Sequence, residues 1–108
     1  MKIESKCFNV QIGCYVWTVQ FVDREKIDGN DGRTKPNDLF IYIANDLSKT
    51  MTKLCFIHEV VHALMDTQGR CYQTKFNVEE VCEFIAWRHY EIASIVDGFE
   101  RWIDDDFD

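Results

Sequence analysis

The chain of 108 residues contains one proline, Pro36, and only 5 glycines, which excludes collagen-like and low-complexity architectures. No apolar run approaches the ~18 residues that a membrane-spanning helix needs. Basic residues are in the minority: 12 Lys and Arg against 19 Asp and Glu give a formal charge of −7. A surface of that sign repels phosphate backbones, so neither nucleic acid nor a membrane is an expected partner. The five cysteines, Cys7, Cys14, Cys55, Cys71 and Cys82, form no C-x-x-C pair, which excludes a zinc ribbon or a redox pair, and their odd number leaves free thiols. Together with an N-terminus that lacks an apolar signal stretch, this points to a reducing, cytoplasmic location. What the chain does have is 46% hydrophobic and 14% aromatic residues, enough for one domain around one core. A single domain over residues 1–103 is expected, followed by an acidic tail over 104–108.

The pattern along the chain predicts an α+β fold. Val10, Ile12, Val16, Thr18, Val19, Phe21 and Val22 alternate around Gly13, which reads as a strand hairpin. Residues 23–38 turn polar, and Asp28-Gly29-Asn30-Asp31-Gly32 supplies turn residues, so this stretch is expected to be a loop. Leu39–Ala44 is an apolar run of strand length. From Ser48, a capping residue, the period becomes helical through Met51, Leu54, Ile57, Val61, Leu64 and Met65, and Gly69 stops it. Apolar residues on nearly every face place this helix at the buried centre. A second long helix is expected from Asn77, with Glu80 completing a capping box. Its stripe of Val81, Ile85, Ile92, Ile95, Val96 and Phe99 faces the core, and Gly98 is a candidate interruption.

One motif carries chemistry: His58-Glu59-Val60-Val61-His62, an HExxH on the first predicted helix. With 3 His and 8 Glu in the chain, such a motif is expected by chance only roughly 0.006 times. Residues four apart lie one helical turn apart and ~40° around the axis, so both imidazoles can reach one Zn²⁺. Glu59 sits about 100° from His58, beside the metal, where its carboxylate can act as a general base toward water. Two histidines and an acid on an otherwise apolar core helix are costly unless a metal offsets the burial.

A catalytic zinc needs a third protein ligand. Glu79 and Glu83 open the second helix on a shared face, about 40° apart, whereas Glu80 is rotated ~100° away and serves as a cap. Glu79 is the expected ligand and Glu83 the acceptor for a free imidazole N–H. His89 and Tyr90 lie ~15 Å or more along the helix from Glu79, too far to share its metal. Cys82 is rotated ~60° off the Glu79 direction, and it and Cys71 are weaker ligand candidates. Tyr72, between the two helices, is a candidate oxyanion donor.

These residues resemble a zincin, and within zincins the gluzincin branch, whose third ligand is a glutamate on a following helix. Glu79-Glu80-Val81-Cys82-Glu83-Phe84-Ile85-Ala86 is similar to the Glu-x-x-Ala-(Asp/Asn)-x-x-Ala helix of the ImmA/IrrE-like metallopeptidases. Cys82 stands at the small-residue position and Glu83 at the Asp/Asn position, a register that also selects Glu79. The chain departs from the family in Val61, where glycine is common, and in the short interval from His62 to Glu79. The layout looks like that of small stand-alone members in phage and prophage genomes. The resemblance implies a zincin-like fold, a small and mostly antiparallel N-terminal sheet packed on the HExxH helix and a long C-terminal helix. It further implies one zinc per chain and an endopeptidase acting on a protein or peptide substrate in a bacterial cytoplasm. Phe40, Ile41, Tyr42 and Ile43 are then the expected substrate-binding edge strand. The competing expectation is a catalytically silent, zinc-containing interaction protein that sequesters a host or phage factor.

Overall fold

The computed structural model describes residues 7–67 and 78–104. Strand β1 (Cys7–Ile12) and strand β2 (Tyr15–Val22) form the expected antiparallel hairpin, with Ile12 opposite Tyr15. Gly13 takes the positive φ of 63° that so tight a connection requires. Its N–H donates to the Glu91 carboxylate at 2.8 Å, which pins the turn to the second helix.

The polar stretch 23–38 is not a plain loop. A single 3₁₀ turn at Arg24–Ile27 is followed by strand β3 (Gly32–Lys35), which pairs antiparallel with strand β4 (Phe40–Ala44). The sheet order is β1-β2-β4-β3, and β4 runs parallel to β2. β3 escapes a reading by hydrophobic alternation because it is short and polar and is held by its partner strand rather than by apolar side chains of its own. Arg24 braces the returning chain through the carboxylates of Asp46, at 2.7 Å, and Asp31, at 2.6 Å. Those two hydrogen bonds, Asp46 first, raise the guanidinium further above its ordinary pKa.

The order also corrects the expected role of β4. Phe40, Ile41, Tyr42 and Ile43 lie on a strand bonded on both sides, to β2 and to β3, so they cannot receive an added strand. The edge next to β4 is β3.

Helix α1 (Lys49–Thr67) starts where the sequence predicts, with the Met51 N–H donating to Ser48 Oγ at 3.2 Å. Helix α2 (Val78–Ile103) runs unbroken through Gly98. The predicted cap at Asn77 and the predicted stop at Gly69 lie outside the described residues.

Both helices pack on one face of the sheet. Trp17, Val19, Phe21, Ile41 and Ile43 from the strands are buried against Phe56, Val60 and Leu64 of α1 and Ile95, Phe99 and Ile103 of α2, each large side chain contributing roughly 1.5–3 kcal/mol by leaving water. The Phe56 and Phe99 rings stack with centroids 3.8 Å apart. On the other face the 3₁₀ turn buries Ile27 against Val22 and Ala44. Asp104, at the end of α2, pairs with Lys49 at 3.2 Å, while the rest of the predicted acidic tail lies outside the described residues. No helix among the described residues is long and apolar enough to cross a membrane.

Candidate metal centre

α1 is covered by the sheet and by α2, but one stripe remains open. Met51, Leu54, His58 and His62, spaced by three and four residues, are all exposed along it. The expectation of three polar side chains in the core is therefore corrected: only Glu59, 5% exposed, is buried. The two imidazoles face the solvent because β3 ends the sheet beside this stripe and nothing described extends over it.

The helical spacing does what the motif requires. His58 Nε2 and His62 Nε2 are 3.2 Å apart. Two nitrogens each ~2.0–2.1 Å from a tetrahedral zinc would stand about 3.3 Å apart, so the donor pair fits that ion. One ligand atom from each of His58, Glu59 and His62 falls within 4.8 Å of the others. Glu59 is held from β3, whose Thr34 hydroxyl lies 3.1 Å from Glu59 Oε1 and 3.2 Å from the Glu59 carbonyl oxygen.

Two hollows meet at this group in the groove between β3 and α1. One, of about 360 Å³, is lined by Met51, Leu54, Cys55 and Asp31. The other, of about 270 Å³, is lined by Arg33, Thr34, His62 and Asp66. Gly32, His58 and Glu59 border both. Burial first, and the Glu59 carboxylate second, push the Cys55 thiol up to about 12, so it is a protonated, uncharged wall residue at neutral pH.

The remaining candidates separate. Glu79 and Glu83 are exposed near the start of α2, and among the described residues neither joins the metal-capable group. Glu80 and Cys82 are exposed on the same segment, and His89 bonds to the Ala86 carbonyl at 2.6 Å. Tyr72 and Cys71 lie outside the described residues. Gly32, Thr34 and Asp66 are the neighbours that sequence reasoning missed. Asp66 could have been found, since it continues the four-residue step of His58 and His62; Thr34 and Gly32 carry no local signal.

No protein-family model matches the chain, and comparison with curated proteins and with solved structures finds no significant match.

Proposed function

We propose that the protein is a zinc-dependent hydrolase of peptide bonds, an endopeptidase of gluzincin type, with His58 and His62 as metal ligands and Glu59 as general base. The reading is carried by the 3.2 Å separation of the two Nε2 atoms, a tetrahedral spacing on an open groove, with a buried carboxylate beside it. When bound, zinc supplies a Lewis acid that acidifies water and polarises a carbonyl. Glu59 accepts a proton from the attacking water and delivers it to the leaving amine. Glu79, in the first turn of α2, is the proposed third ligand, with Glu83 proposed to support a ligating imidazole.

The substrate strand in this proposal is β3. The bond from the Ala44 N–H to the Asp31 carbonyl, 2.7 Å, sets the phase of the β3–β4 ladder, so that the peptide groups of Gly32 and Thr34 point away from β4. An extended peptide can pair with them directly above the histidines.

The test is elemental analysis of protein purified without a metal-affinity tag. One zinc per chain is expected, and none in the His58→Ala, His62→Ala double variant. Glu79→Gln is expected to weaken zinc binding about tenfold or more while Glu80→Gln leaves it intact; equal losses would remove Glu79 from the ligand set. Glu59→Gln should keep its zinc and stop cleaving unfolded casein, and full activity in that variant would refute the general-base role. A second reading, an interaction protein in which zinc is silent, is favoured by Trp87 and Tyr90, which are 78% and 82% exposed one turn apart on α2. Stoichiometric zinc without any hydrolysis would select it.

A further inference from the structure

We infer that Thr34 is a positioning residue that fixes which oxygen of Glu59 does the proton transfer, an inference that rests on the hydrolase reading above. Thr34 stands 25 residues before Glu59 in the chain, on a strand that the sequence reads as loop, and β3 alone brings the two together. Its hydroxyl carries one proton and has two acceptors within reach, Oε1 of the carboxylate at 3.1 Å and the Glu59 carbonyl at 3.2 Å. The carbonyl lies within α1, where it accepts a helical N–H, whereas a carboxylate attracts the donor through its charge. The proton therefore goes to Oε1. No other described residue donates to that carboxylate, so Oε2 is the oxygen left free to work.

The fit depends on Gly32 as well. A Cβ at that position would stand 3.2 Å from Glu59 Cγ, so the bare glycine lets β3 close on the side chain while Thr34 ties its end. In the reaction Thr34 keeps its own proton. The proton taken from water enters at Oε2 and leaves with the amine, and Glu59 returns to its starting state. Because β3 is also the proposed substrate strand, one element sets both the line of the peptide and the aim of the base. A side chain held in one orientation loses no freedom at the moment of transfer.

The experiment uses the full chain, labelled with ¹³C at the glutamate carboxyl carbons, as wild type, Thr34→Val and Thr34→Ser. The Glu59 resonance is the one that disappears in Glu59→Gln. It is expected to move in Thr34→Val and to return in Thr34→Ser, which restores the donor without the methyl group. With zinc added, kcat on a quenched-fluorescence peptide taken from a casein cleavage site should fall about tenfold or more in Thr34→Val at nearly constant KM, and recover in Thr34→Ser. A Glu59 resonance unmoved in Thr34→Val overturns the proposal, as does an unchanged kcat. Thr34→Ser matching Thr34→Val in both readouts would assign the effect to packing and overturn it too. If the zinc-loaded wild type cleaves nothing, the hydrolase reading fails, and the carboxyl resonance still decides whether Thr34 holds Glu59.

Discussion

Two glycines a few residues apart illustrate how residue type alone misleads. Gly29 is the turn glycine, with φ of 81°, and Asp28 before it also takes a positive φ of 57°. Gly32 belongs to the same polar run in the sequence but has another reason to be glycine: a Cβ there would fall 2.5 Å from Cys55 Sγ and 3.1 Å from the Tyr42 carbonyl oxygen. The carbonyl belongs to the partner strand and cannot give way. Gly32→Ala is therefore expected to force β3 off α1 and to lower stability by about 1–3 kcal/mol, measurable by urea unfolding. An unchanged midpoint would mean that the close approach is not needed. His58 and His62 were legible for the opposite reason, since a relation of four residues on one helix needs no knowledge of the rest of the molecule.

At the level of elements, the β1–β2 hairpin and the start of α1 follow their local signals, whereas the order of the sheet does not. Ser48 caps α1 as its chemistry predicts, while Gly98, a candidate break, is passed over by α2. Packing of Ile95, Phe99 and Ile103 on both sides of Gly98 outweighs the roughly 1 kcal/mol that a mid-helix glycine costs. A Cβ on Gly98 would meet the Phe8 ring at 3.8 Å, an ordinary contact. Gly98→Ala is thus expected to stabilise the protein by about 0.5–1 kcal/mol, seen as a higher melting temperature; a lower one would show that the Phe8 contact is already full. Both misread strands, β3 taken as loop and β4 taken as edge, follow from one cause. Strand order depends on pairings between residues far apart in the chain, and Arg24 with its bonds to Asp31 and Asp46 turns the polar stretch back to the sheet edge.

For the whole molecule, the Cys55 thiol ties stability to pH. Its folded pKa, about 12, lies above the ordinary 9.0, so the native state holds the proton more tightly than the unfolded chain. The contribution is present in full below pH 9 and is lost as pH rises toward 12. Unfolding free energy is expected to fall across that window, and the fall should be shallower in Cys55→Ala. Equal slopes in the two proteins would show that the buried thiol is not the titrating group. Among the described cysteines Cys7, Cys14 and Cys82 are exposed, so alkylation at neutral pH should modify these three before Cys55.

The sequence by itself determined what is written in short-range spacing: the β1–β2 hairpin around Gly13, the capped start of α1, a long second helix, and an HExxH pair whose donor atoms meet. These depend on backbone periods of two and 3.6 residues, which operate within a few positions. Tertiary structure alone decided that β3 forms the open edge, that the histidines face a groove rather than a core, and that Thr34 and Gly32 close on Glu59. Each of those facts joins segments some 25 residues apart, and contacts of that span are set by which strand pairs with which, a choice made by the packed core as a whole.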